Sequence, residues 1–289
     1  MNKYVNCIAH KSSEGNLLIG NKQSALIDCG MAFCAKDTIH KVKDALKGKP
    51  LDYLFLSHSH YDHIGALPFF RKEWPLLQTV TSEAGAAILM KDTPRRVIRE
   101  LSLAAAEIYN TGSNNQNFDI LNWDSKALFG DIIVKEGDII SLGDLAVMVL
   151  ETPGHTRDSL SFFVPELELL ILNETLGVLM SDGTVFPCYL SSYSDTIKST
   201  EKCAQIKYKQ LSLPHRGITS NIEAEGFFGK SLASNAACYN FIQEMKNKNH
   251  NEDEMLELFH RQYSSELLLS YQPKEAFIAN ALAMFSCKS

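Results

Sequence analysis

Hydrophobic and polar positions along the first ninety residues switch between two periods. Short apolar runs at 4–8, 17–19 and 25–27, with the polar tripeptide Glu14-Gly15-Asn16 between the first two, predict an antiparallel entry of short strands. From Asp37 the apolar side chains recur at Ile39, Val42 and Leu46, a spacing that puts them on one helical face, and Gly48 and Pro50 stop that helix. Leu54-Phe55-Leu56 predicts the next strand. A short helix near 64–70, a strand at 77–81 and a helix at 82–90 follow. This alternation predicts an α/β architecture.

From 93 to 130 the pattern departs. Residues 95–109 are helix-like, and 110–122 are polar and rich in Asn, so an inserted cap is expected there. Strand periodicity resumes at 131–134, 138–140, 145–150, 160–164 and 169–172, enough for a second sheet. Helical spacing returns at 230–245, 252–263 and 274–285, with a polar break at 247–251. The expected organisation is one domain over 1–222 and a helical extension over 223–289. The extension is expected either to govern access to a substrate pocket or to form a homodimer contact.

Composition narrows the partners. A chain of 289 residues with 45% hydrophobic content can bury a substantial core. Its net charge of -6, with no run of Lys and Arg interleaved with aromatics, argues against nucleic acid. The seven cysteines are scattered and form no C-x-x-C pair, as reduced thiols would be. No apolar stretch approaches the roughly 20 residues that span a bilayer, and no basic-apolar segment opens the chain. No membrane partner and a cytoplasmic location are therefore expected.

The chemistry concentrates in His58-Ser59-His60-Tyr61-Asp62-His63, three imidazoles and a carboxylate directly after a strand. In an extended segment residues i and i+2 point to one side, so His58 and His60 can share a cation, and Asp62 and His63 face a neighbouring point. Imidazole and carboxylate are donors that zinc or iron accept. Further donors stand just past probable strand ends: His155 in Thr152-Pro153-Gly154-His155-Thr156, Glu174 after 169–172, and His215 in Pro214-His215-Arg216-Gly217. Turn residues beside them place these side chains at a sheet rim. Ser59, Thr156, Asp158 and Ser159 are candidates to hydrogen-bond the ligands.

The H-x-H-x-D-H segment at 58–63 resembles the signature of the metallo-β-lactamase superfamily. The resemblance extends over 1–220 through Ile27-Asp28-Cys29-Gly30, His155 in its P-G-H-T setting, Glu174 and His215. It implies a four-layer αββα sandwich with two divalent ions at one edge, zinc first, with iron or manganese as alternatives. It further implies that His58, His60 and His155 hold one ion, that Asp62, His63 and His215 hold the other, and that Glu174 bridges them. Glu174 stands in an N-E setting where the family commonly has G-D, so its reach is longer by about one carbon–carbon bond, ~1.5 Å.

Two such ions would activate hydroxide and polarise a carbonyl or phosphoryl oxygen, with Asp62 as the catalytic carboxylate. The expected reaction is hydrolysis of a small-molecule thioester, lactone or related ester. A phosphodiesterase is the alternative within hydrolases, and an iron-dependent redox protein or a non-catalytic ligand sensor the alternative of another class. Arg216 is a candidate for an anionic substrate group, and Tyr189 and Tyr193 for pocket walls.

Overall fold

The structure is a computed structural model and describes residues 3–7, 15–109, 123–220, 222, 224–265, 268 and 274–287. The expected polar stretch at 110–122 lies outside the described residues, as do Ile8 and Glu14 of the first expected strand and turn. One six-stranded sheet runs in chain order through β1 (Tyr4–Asn6), β2 (Asn16–Ile19), β3 (Ser24–Ile27), β4 (Tyr53–Phe55), β5 (Gln78–Ser82) and β6 (Ile132–Val134). Its first three strands are antiparallel, and β3 to β6 are parallel. The second sheet comprises β7 (Ile139–Ser141), β8 (Ala146–Glu151), β9 (Leu160–Val164), β10 (Leu169–Ile171), β13 (Gln210–Leu213) and β14 (Gly217–Thr219), in the order β14-β13-β10-β9-β8-β7. A separate hairpin pairs β11 (Val178–Leu179) with β12 (Val185–Phe186).

The strand directions put the functional side chains on one edge. Because β3 and β4 are parallel, their C-terminal ends lie side by side. In the second sheet β10 and β13 are parallel, and β8 runs the same way because both β8 and β10 are antiparallel to β9. The residues that follow β8, β10 and β13, namely those leading to His155, Glu174 and His215, therefore emerge together.

Alternation along the strands builds the layers. Leu18, Ile27 and Phe55 point between the sheets, where they meet Val147, Val149 and Phe162. Leu17, Leu26 and Leu54 point the other way, against Val42 of α1 (Ala35–Leu46) and Phe70 of α3 (Leu67–Glu73); the short α2 (Tyr61–Ile64) lies between these helices in sequence. On the far side of the second sheet Leu170 and Leu211 pack with Cys203 of α6 (Tyr193–Ala204) and Phe227 of α7 (Phe227–Asn247). Helix, sheet, sheet and helix thus follow one another, the αββα sandwich expected. Each of these side chains, fully buried, contributes about 1.5–3 kcal/mol.

Residues at 93–109 are more firmly integrated than a loose cap. Helix α5 (Asp92–Tyr109) follows α4 (Glu83–Leu89) and packs on it and on α2, with Ile98, Ser102 and Ala105 buried. Trp123 Nε1 donates to the Gly65 carbonyl at 2.8 Å, tying the returning chain down.

The C-terminal helices α7, α8 (Glu252–Tyr263) and α9 (Lys274–Ser286) enclose a cluster that includes Phe186, Tyr189, Ile242, Phe259 and Phe277. The expected polar break is the start of α8, where Asn251 and Glu254 form a capping box. No described helix is long and apolar enough to cross a membrane.

Candidate metal centre

The chain leaves β3 through Asp28, whose φ of 58° is left-handed. That turn holds the histidine loop from two sides. Asp28 Oδ1 accepts the Ser57 amide at 2.8 Å, while the amides of Cys29 and Gly30 donate to the His63 carbonyl at 2.8 and 2.9 Å. Asp28 Oδ2 also lies 2.9 Å from His63 Nδ1, which places a proton on that nitrogen and turns Nε2 inward. Past β4 the chain bends at Ser57 and Ser59 before His60, the extended N-cap of α2, and the His58 and His60 ring centroids lie 4.6 Å apart. Asp62 and His63 then lie in the first turn of α2.

His155 is set by a glycine. Gly154 has φ of 145°, and a Cβ there would come 2.2 Å from Thr196 Oγ1. The following imidazole donates from Nδ1 to the Cys188 carbonyl at 2.8 Å, leaving Nε2 for the centre. Glu174 follows β10 on a single 3-10 turn capped by Asn173. His215 follows β13 with φ of 62°. Left-handed backbone at Asp28 and His215 costs roughly 1–2 kcal/mol each, and both positions serve the centre.

Glu174 is where these segments converge. Its Oε2 lies 2.9 Å from His155 Nε2, 3.2 Å from His58 Nε2 and 3.5 Å from His63 Nε2, and its Oε1 lies 2.6 Å from His215 Nε2. Asp62 Oδ2 lies 3.6 Å from His63 Nε2 and 4.0 Å from His215 Nε2. Two donor sets result, His58-His60-His155-Glu174 and Asp62-His63-Glu174-His215, each with ligand atoms within 4.8 Å of one another. The structure thus brings together every side chain expected at the metal site, with Glu174 common to both sets.

Burial governs the charges. Burial and the neighbouring His63 and His60 imidazoles hold His58 well below the ordinary histidine range, and burial with His155 lowers His60 to about 3. Burial also opposes charge on His63 and His215, yet the carboxylates of Asp62 and Asp28 raise the first, and Glu174 raises the second. Burial would raise Glu174, but His155 and His215 outweigh it and hold it well below the carboxylate range. Asp62 is raised by burial, with His63 opposing.

Divalent ions fit these residues. His58 Nε2 and His63 Nε2 are enclosed, and neither makes a directed hydrogen bond to a described group. Such an orphaned buried nitrogen costs about 1–3 kcal/mol unless something else engages it. One set offers three nitrogens and an oxygen, the other two of each, which suits zinc, iron or manganese. Neither set includes a cysteine, and Cys29 is fully buried with its thiol pushed up by burial and by Asp28.

The centre opens into a cavity of about 530 Å³ that Ser59, Asp62 and Cys188 help to line. Thr156 and Ser159 hydrogen-bond each other at 2.7 Å, and Asp158 is buried behind them with neither carboxylate oxygen hydrogen-bonded among the described residues. The candidate substrate residues lie elsewhere. Arg216 Nη1 donates to the Leu179 and Met180 carbonyls, both at 3.2 Å, and so anchors the β11 strand. Tyr189 is fully buried with its hydroxyl 3.5 Å from Cys238 Sγ, and Tyr193 stacks on Tyr239 at 4.0 Å. Both rings belong to the C-terminal cluster, because the chain after β12 turns under α7 before it reaches α6.

Two positioning groups were not assigned roles from the sequence. Asp28 sits in a recognisable I-D-C-G segment, but that pattern does not say which imidazole it meets. The Cys188 carbonyl is a backbone acceptor and leaves no signal in residue type.

The sequence profile of the metallo-beta-lactamase superfamily matches residues 16–215, which span both donor sets. The chain belongs to this superfamily. Among relatives, a metallo-beta-lactamase fold-containing protein of Sulfurisphaera tokodaii is 23% identical over 208 residues, covering 71% of this chain and 72% of its own. An acyl-coenzyme A thioesterase of Gallus gallus is 24% identical over 197 residues, 66% of either chain. Among solved structures, a metallo-beta-lactamase family protein from Thermus thermophilus superimposes with a TM-score of 0.60 at 16% identity, covering 98% of this chain and 92% of that one. That likeness is one of fold and takes in nearly the whole chain.

Proposed function

We propose that this superfamily member is a metal-dependent hydrolase of small-molecule thioesters, lactones or related esters, with two divalent ions in the two donor sets. The observation that supports it most is the sharing of Glu174 by both sets at the floor of one cavity. His58, His60 and His155 would hold one ion, Asp62, His63 and His215 the other, and Glu174 both. Two ions so held would supply hydroxide near neutral pH and polarise a carbonyl.

The chain's own residues do the rest. Asp28 and the Cys188 carbonyl fix the orientations of His63 and His155. Asp62 lines the cavity beside the second set, and its carboxylate would orient the attacking water and carry a proton to the leaving group. The cavity walls are largely aliphatic and limit competing water at the reacting bond.

The test is turnover by metal-reconstituted, flavin-free protein on saturating thioesters, lactones and phosphodiesters, without oxygen or reductant. Hydrolysis of thioesters or lactones, lost on chelation and restored by metal, is the expected result. Protein with both sets loaded that turns over no ester would overturn the reading, and activity on phosphodiesters alone would reassign the substrate.

A further inference from the structure

We propose that the cavity is an acyl-chain pocket selective for uncharged substrates: an apolar acyl group lies between α5, the β11-β12 hairpin and α9, with its carbonyl at the metal centre. The reaction in this inference rests on the hydrolase reading; the pocket's preference for alkyl chains does not.

The walls carry the argument. Val97 and Leu101 of α5, Val178 and Phe186 of the hairpin, and Ala276 and Ala279 of α9 face one space of about 530 Å³, in the size range of a small-molecule site. Val97 and Leu101 remain 40% and 42% exposed, so apolar surface stands uncovered next to the reactive floor. An alkyl chain would cover it. Each methylene taken from water strengthens binding about fourfold.

Wall charge narrows the occupant. Among the described residues no Lys or Arg lines the cavity, although α5 contains Arg95, Arg96 and Arg99. At 3.6 residues per turn these three point about 100° or more away from Val97. Arg95 donates to the Leu128 carbonyl at 3.2 Å and Arg96 pairs with Glu100 at 2.9 Å. Away from the metal donors, the acidic or basic side chain on the wall is Glu275 of α9, an acid. An anionic group held in the cavity meets no complementary charge from the described wall residues, whereas a neutral one loses nothing.

The balanced step is addition of water to the acyl carbon and cleavage of its C–S or C–O bond. The oxygen of water stays on the acyl product, and the leaving sulfur or oxygen takes a proton.

Neutral N-acetylcysteamine thioesters from acetyl to decanoyl, the matching coenzyme A thioesters and a bis-aryl phosphate test this on the metal-loaded protein. We expect kcat/KM to climb about two- to fourfold per methylene until the cavity is full. The neutral thioester should outpace its coenzyme A counterpart. Ala279→Phe should lower kcat/KM for decanoyl about tenfold more than for acetyl, and Ala276→Leu repeats the test should Ala279→Phe not fold.

Displacement of the uncharged dye Nile red by 1-decanol from metal-stripped protein, weakened by Ala279→Phe, reads the pocket without turnover. No dependence on chain length, together with displacement unaffected by either alanine variant, overturns the pocket. Displacement that behaves as expected while no ester is hydrolysed keeps the pocket and removes the hydrolase reading.

Discussion

Asp28 Oδ2 lies 2.9 Å from His63 Nδ1, at the foot of a left-handed turn 35 residues upstream of the imidazole it orients. The contact fixes which ring nitrogen faces Asp62 and Glu174. Asp28→Asn preserves size and an acceptor for the Ser57 amide but removes the anionic partner. Metal affinity of the second set should fall about 10- to 100-fold while the first set holds its ion. Titration against a competing chelator measures both, and equal affinities in variant and parent would discard this role for Asp28.

Glu174 reaches donors of both sets through its two oxygens. Glu174→Gln should therefore weaken both ions together, whereas His60→Ala depletes the first set and His63→Ala the second. Elemental analysis under limiting metal separates these patterns. A Gln variant that fills both sets like the parent would end the idea of a shared ligand.

The two sets should part company as pH falls. A protonated imidazole cannot accept a cation. His58 and His60, held low chiefly by burial, remain neutral into acid, so protons compete weakly at these two ligands of the first set. His63 and His215 are raised despite burial, by Asp62 and Glu174 respectively, so protons compete with the metal there up to higher pH. Lowering pH from about 8 to about 5, through the ordinary histidine range, should empty the second set first. Cobalt absorption of each half-loaded form follows it; emptying in the opposite order would contradict this electrostatic picture.

Gly154→Ala should destabilise the protein, since a methyl group would meet Thr196 Oγ1 at 2.2 Å on backbone with φ of 145°. A loss of about 1–3 kcal/mol is expected, or roughly 3–10 °C in melting temperature. His155 should be displaced with it. Calorimetry together with metal content checks both, and an unchanged melting temperature would show that the loop gives way freely.

Much of this was legible because burial and chemistry left separate marks. Alternating Leu17, Leu18 and Ile19 point to a strand covered on both faces, and Ile39, Val42 and Leu46 to one helical face. The histidine cluster stood out for the same reason, since six consecutive residues held four donors. Helix α6 stayed hidden because its inward face is Thr196, Ser199, Thr200 and Cys203, small and mostly polar side chains that break the apolar period. The β11-β12 hairpin has only two residues per strand, too few for any period. Tyr189 and Tyr193 are expected from the sequence to line the pocket, but Tyr189 is buried in the C-terminal cluster and Tyr193 packs against it. Arg216, a cation next to His215, suggests an anion site from sequence, but its Nη1 donates to the Leu179 and Met180 carbonyls of the β11-β12 hairpin.

The cavity's floor and its walls come from stretches of chain that are far apart in sequence. Reactive side chains sit on the sheet edge, while α5 and α9 supply much of the surrounding surface from residues 92–109 and 274–286. The cavity-facing Val97, Leu101, Ala276 and Ala279 are not metal donors and can vary without altering one, whereas the face of α5 that packs on α2 also supports Asp62 and His63. Substitutions on the cavity-facing sides of these two helices would change which molecules are admitted while the donor sets stay as they are.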